Sequence, residues 1–187
     1  MSADDAFNYI DLLVRGGFYT STEIVELVSR SKSYREFVRT HNVPELVTQH
    51  IAEYEREQAT WEYPTDCDRL DNAFEEFNQK GIVARQNFSC CGTCGSGEIE
   101  EIAEEQRKHR YVRGTVFYHV QTTELAVNGY GVYLYFAAMI DDEQEHRRLG
   151  RVIIEILERA GLATEWDDDP QKAIHIRMDW KRRFRRN

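Results

Sequence analysis

Three of the four cysteines of the 187-residue chain lie within one short segment, NFSCCGTCGSGEI, at residues 87–99. Two residues separate Cys91 from Cys94, a spacing that lets both thiolates bind one metal ion, and Gly95 permits the tight backbone turn that such a site needs. A closed zinc site takes four ligands, and the chain contains no second cysteine pair of this kind. Cys90 and one further residue would therefore have to complete a zinc site.

The best candidate for the fourth ligand is His119, which belongs to a segment with the alternating pattern of a strand. We expect this strand to lie beside the strand that ends at the cysteine segment, which would bring the imidazole towards the sulfur atoms. His109 and Cys67 are weaker candidates, and the periodicity around Cys67 predicts a buried helical position. A hydrogen-bonded structural role is the alternative for His119. The predicted zinc ligands are thus Cys90, Cys91, Cys94 and His119.

Two other interpretations of the cysteine segment compete with the zinc site. Strand, Cys-x-x-Cys and helix is also the order of thioredoxin-like proteins, so Cys91, Cys94 and His119 could serve an enzyme, either a thiol oxidoreductase or a metal-dependent hydrolase. Five glutamates follow within residues 98–105, and their negative charge predicts that both thiols keep an ordinary pKa of about 8.5. In the third interpretation the turn is purely structural: its glycines supply unusual backbone angles, and its cysteines fill tight space.

Two regions with different patterns must position these residues. Residues 1–62 predict a helical N-terminal region, because apolar residues recur at helical spacing and Thr20 with Glu23 forms a capping box. Residues 63–187 alternate helical and strand patterns and predict an α+β domain that contains the cysteine turn. We expect the two regions to form one compact unit.

The second region predicts a mixed sheet. Residues 82–88 have the pattern of a strand, residues 112–120 that of a second, and the apolar run at residues 129–139 that of a central strand covered on both faces. Two further strands flank the acidic turn at residues 167–169. The sum is an α+β fold in which a mixed sheet of four or five strands carries packed helices, preceded by the helical N-terminal region.

Composition argues against several classes of protein. The net charge of −9 opposes nucleic acid as the primary partner and favours a basic protein partner. No apolar run is long enough to cross a bilayer, and the first residues lack a secretory signal, so we expect no membrane partner and a cytoplasmic location in which thiols stay reduced. The basic run KRRFRRN at residues 181–187 could contact an anionic partner, but a solvated tail is the favoured interpretation.

Four segments in order, GGFYTSTEI, GIVARQNFSCCGTCG, VFYHVQTTE and EWDDDPQKAIHIRMDW, resemble a family of small bacterial proteins described as a domain of unknown function. The resemblance covers nearly the whole chain, and the cysteine segment is its most specific part. It implies a bacterial cytosolic protein of α+β type and supplies no catalytic residues. The leading hypothesis is therefore a non-catalytic binding or interaction protein whose cysteine turn is structural, with or without a zinc ion.

Overall fold

The computed structural model describes residues 3–184, in which the chain forms eight α-helices and a five-stranded mixed sheet. The α+β prediction and the helical N-terminal region are confirmed. Every helix within these residues is too short or too polar to span a membrane. The helices are α1 (Ala3–Gly16), α2 (Ser21–Arg30), α3 (Arg35–Thr40), α4 (Val43–Gln58), α5 (Asp66–Gln79), α6 (Gly92–Arg107), α7 (Val120–Val127) and α8 (Glu143–Arg159). The strands are β1 (Ile82–Arg85), β2 (Gly114–Phe117), β3 (Val132–Ala138), β4 (Ala163–Glu165) and β5 (Ile174–Arg177).

Residue contacts divide the described chain into two units. The first comprises residues 3–63 together with residues 181–184, and the second comprises residues 64–180. The boundaries predicted from the sequence, 1–62 and 63–187, stay a prediction, as does the expectation of one compact unit.

Helices α1, α2 and α4 of the first unit share one apolar core. Their inward-facing residues, among them Ile10, Ile24 and Val47, are fully buried. The predicted capping box at the start of α2 is present: the Glu23 amide donates to the Thr20 hydroxyl, and the Thr20 amide donates to the Glu23 carboxylate at 2.7 Å. Local pattern and capping chemistry therefore explain these helices.

The basic segment near the C-terminus contributes to the core of the first unit. Phe184 is 8% exposed and belongs to the apolar cluster, and the Arg182 guanidinium lies 4.4 Å from the centre of the Phe18 ring. The favoured prediction of a solvated tail is wrong for residues 182–184, because burial of one ring and stacking of one guanidinium stabilise the segment. The remaining arginines of the run, Arg185 and Arg186, lie outside the described residues.

The second unit is built on a mixed sheet with the strand order β1-β2-β3-β5-β4. β1 and β2 are parallel, whereas the other neighbouring pairs are antiparallel. Since parallel neighbours need a crossover connection, α6 links β1 to β2 across one face of the sheet. Side chains alternate along β2, so Phe117 faces α6 while Gly114 approaches Leu149 of α8 on the opposite face.

The central strand, β3, presents one face to solvent. Val132 and Leu134 are fully buried, while Tyr133 and Tyr135 are 36% and 37% exposed. The central position is as predicted, because β3 pairs with β2 and β5. The prediction that both faces of β3 are covered is wrong. The tyrosines can line an exposed face, because each combines an apolar ring with a hydroxyl that tolerates water.

Gly95 allows α6 to approach β2 closely. A Cβ atom at this position would lie 2.3 Å from Cε2 of Phe117, far inside van der Waals contact. The three glycines of α6, Gly92, Gly95 and Gly97, are absent from the described glycines with positive φ, so the expectation that they supply unusual backbone angles is wrong. Close packing explains Gly95, whereas a Cβ at Gly97 would meet no atom within 4 Å.

Gly95→Ala is expected to lower the free energy of unfolding by roughly 1–3 kcal/mol, because the added methyl group forces the Phe117 ring out of place. Gly97→Ala in the same helix is the matched control and should raise this free energy by roughly 0.5–1 kcal/mol, since alanine favours a helix and has free space. Urea unfolding followed by circular dichroism measures both. Equal effects of the two substitutions would contradict the packing argument.

Candidate functional site

Parallel pairing of β1 and β2 brings the cysteine segment and His119 to the same edge of the sheet. The two strands pair in register along their whole lengths and therefore end together. The segments that follow are hydrogen bonded: the Phe88 amide donates to the Tyr118 carbonyl at 2.8 Å, and the Val120 amide donates to the Ser89 carbonyl at 3.2 Å. The prediction that these two strands lie side by side is confirmed.

Two residues in the left-handed backbone conformation shape the turn between β1 and α6. Asn87 has a φ of 48° and Ser89 a φ of 60°. The Thr123 hydroxyl of α7 donates a 2.8 Å hydrogen bond to the Asn87 side chain, and the Ser89 hydroxyl donates one of 3.1 Å to the Glu98 carboxylate. These bonds offset backbone strain. The sequence analysis missed these positioning residues, although asparagine is a residue type that tolerates this conformation.

Cys90, Cys91 and Cys94, here called the three-cysteine cluster, converge at this turn. Their Sγ atoms all lie within 4.8 Å of one another, and none of the three forms a disulfide. Cys90 and Cys94 are exposed, and Cys91 is half-buried. Zinc–sulfur bonds of about 2.3 Å in a tetrahedron place sulfur ligands about 3.8 Å apart, so small side-chain rotations suffice for shared coordination.

The cluster lies at the N-terminus of α6, which begins at Gly92. Cys91 is the N-cap residue, and its carbonyl accepts the first helical hydrogen bond from the Gly95 amide at 2.9 Å. The preceding amides of the first turn have no partner within the helix and carry partial positive charge. This end of the helix therefore favours a thiolate.

The thiols of the cluster differ in acidity. The Cys94 amide, the thiols of Cys94 and Cys90, and the Thr93 amide together lower the pKa of Cys91. Hydrogen bonds to Cys90 and Cys91, and the negative charge that these sulfurs carry, raise the pKa of Cys94 to about 11. The expectation of ordinary pKa values is wrong for both residues, because hydrogen bonds and charges within the three-cysteine cluster, rather than the glutamates of α6, dominate the acidity of these thiols.

His119 is the N-cap residue of α7 and lies next to the turn. It is 6% exposed, its ring centre lies 5.3 Å from that of Tyr135, and its Nε2 atom lies 3.5 Å from the Thr122 hydroxyl oxygen. Burial lowers its pKa, which keeps the imidazole neutral at neutral pH. Its Nδ1 atom has no hydrogen-bond partner among the residues that the structure describes.

The structure does not bring His119 into the three-cysteine cluster. Its ring nitrogens are not among the atoms that lie within 4.8 Å of all three sulfurs, so its role as the fourth ligand stays a prediction. The expected strand position is wrong by two residues: β2 ends at Phe117, and the His119 carbonyl accepts bonds from the Thr122 and Thr123 amides in the first turn of α7. Cys67 is 2% exposed, in agreement with the predicted packing role.

Alkylation of the native protein by iodoacetamide is expected to modify Cys91 at a lower pH than an ordinary cysteine and Cys94 only towards pH 11. The thiolate is the reactive form, so the initial rate at each residue follows its deprotonation. Mass spectrometry of the modified peptides across a neutral-to-alkaline pH series measures both midpoints. Urea-unfolded protein is the control, and identical midpoints in the two states would contradict the assignment.

Comparison with known proteins places the chain in one family. Residues 2–184 match the family described as a domain of unknown function (DUF6891). No curated protein and no solved structure matches the chain significantly. The bacterial origin implied by the sequence motifs stays a prediction. Because the match extends over nearly the whole chain, the protein belongs to this domain-of-unknown-function family.

Proposed function

We propose that the protein is a non-catalytic metal-binding protein whose three-cysteine cluster holds one zinc ion. The observation that carries this proposal is the convergence of three Sγ atoms within 4.8 Å at the protein surface. Thiolates select zinc over magnesium and calcium, which prefer oxygen ligands. Among residues 3–184, no other group of three or more histidine, cysteine, aspartate or glutamate side chains has this spacing.

The charges around the cluster support cation binding. Zinc with three thiolates carries one net negative charge, which the partial positive charge at the start of α6 stabilises. The exposed carboxylates of Glu98, Glu100 and Glu101 follow on the next turns of the helix. Their negative field raises the local concentration of free cations near the turn.

The fourth ligand decides whether such a site is structural or catalytic. A protein ligand closes the tetrahedron, whereas a bound water occupies the position at which zinc hydrolases activate water. We propose His119 as this ligand, because its buried Nδ1 atom has no partner among the described residues and the Cδ2 edge of its ring lies 3.8 Å from where a Cβ atom on Gly92 would be. Coordination requires the turn to close onto the ring, since the ring nitrogens lie outside the 4.8 Å cluster.

Protein purified without chelators and under reducing conditions should contain about one zinc ion per chain by elemental analysis. Cys91→Ser and Cys94→Ser should each lose most of this zinc, because each removes one of three thiolate ligands. Thr93→Ala is the matched control: Thr93 is exposed within the same turn and offers no thiolate. Zinc-free wild-type protein that also fails to bind added zinc would refute the metal site.

His119→Gln tests the closed site separately. If His119 is a ligand, its loss should weaken zinc binding by more than the roughly 10- to 100-fold typical of residues that only orient a ligand. X-ray absorption of the wild-type zinc complex should show sulfur at about 2.3 Å and one nitrogen at about 2.0–2.1 Å. Unchanged zinc affinity in His119→Gln would leave the three-thiolate site standing but exclude the imidazole.

A further inference from the structure

We infer that Cys91 and Cys94 are also a modification site: a peroxide converts them to an intramolecular disulfide, and the three-cysteine cluster then loses its capacity to hold a metal ion. Formation of the disulfide rests on the geometry of the sulfur atoms alone. The accompanying loss of metal rests on the proposed function.

The first observation is access. Cys94 is exposed and Cys91 is half-buried, so a small oxidant in solution reaches the sulfur atoms without prior unfolding. Cys67 is 2% exposed in the same unit and is shielded from such an oxidant. Oxidation should therefore be selective for the turn, because susceptibility of a thiol follows its exposure.

The second observation is the freedom of the sulfur atoms to meet. Their separation of at most 4.8 Å must fall to the disulfide bond length of about 2.05 Å. Cys91 has an extended backbone with φ −155° and ψ 171°, and it precedes the regular helix. Rotation of its side chain towards Cys94 leaves the hydrogen bond between the Cys91 carbonyl and the Gly95 amide in place.

The third observation selects the pair. Cys91 at the N-cap and Cys94 three residues later face the same side of the first helical turn. A bridge between the adjacent Cys90 and Cys91 would strain the peptide between them. Cys90 precedes the N-cap residue and lies outside α6, whereas Cys94 belongs to the first turn that Cys91 caps. We therefore assign the disulfide to Cys91–Cys94, with Cys90 left reduced.

The reaction balances with hydrogen peroxide as the oxidant. One thiolate attacks a peroxide oxygen, the O–O bond breaks, and hydroxide leaves, which gives a sulfenic acid. The second thiol of the pair attacks this sulfur, the S–S bond forms, and water leaves after proton transfer. Two thiols are oxidised by two electrons, and one peroxide is reduced to two waters.

The disulfide changes the metal chemistry of the turn. Two of the three sulfur ligands become disulfide sulfur, which carries no negative charge, and Cys90 alone provides a thiolate. Because zinc needs deprotonated ligands, one thiolate cannot replace three. Oxidation and metal binding are therefore mutually exclusive states of the same turn.

Metal-free, fully reduced protein treated with a slight excess of hydrogen peroxide is expected to fall from four reactive thiols to two when thiols are counted after unfolding. Cys90→Ser should lose two thiols in the same way, whereas Cys94→Ser should form no intramolecular disulfide. Tandem mass spectrometry locates the bond, and dithiothreitol should restore all thiols. Thr93→Ala should behave as the wild type.

Zinc-loaded protein tests the loss of metal in a parallel sample with a zinc-sensitive dye. Release of about one zinc per chain, in step with thiol loss, is the expected result. A chain that never loads zinc refutes the proposed function, while the thiol count still tests the disulfide. Unreacted thiols, a disulfide between chains, a Cys90–Cys94 bond or oxidation to sulfinic acid without a disulfide would each overturn the inference.

Discussion

Parallel pairing between β1 and β2 is the constraint on which the candidate site depends. It obliges the chain to cross the sheet through α6, and it places the start of that helix beside the segment that leaves β2. Contact between Gly95 and Phe117 fixes how closely the helix approaches the sheet. The three sulfur atoms are thus positioned by backbone pairing and by one tight packing contact, without any covalent bond between them.

Much of the fold followed from local patterns in the sequence. The helical spacing of the first unit, the capping box at Thr20 and the strand character of β3 were each visible within a few residues, and each is present in the structure. The differences arise where tertiary contacts outweigh local pattern. Phe184 lies in a basic run that resembles a solvated tail, yet distant helices bury it, and nothing near it in sequence indicates this.

The three cysteines of the candidate site were predictable from the sequence, whereas the backbone conformation of their turn and the acidity of their thiols were not. Spacing alone indicated that Cys91 and Cys94 would meet, and the strand patterns indicated that the strand assigned to His119 would lie beside the strand that ends at the cysteine turn. Strain at Asn87 and Ser89 was not visible, because left-handed backbone at residues other than glycine depends on hydrogen bonds from elsewhere in the fold. The acidity of the thiols also depends on the exact start of α6, since its first amides stabilise a negative charge.

The discontinuous first unit has a consequence for biosynthesis. Its helices leave the ribosome first, but Phe184 of the same core, and Arg182 that stacks on Phe18, are added more than a hundred residues later. The apolar core of helices α1 to α4 therefore stays incomplete while residues 64–180 are translated. During that interval the intervening sheet can fold, whereas the core of the first unit still lacks the Phe184 ring and the contact between Arg182 and Phe18.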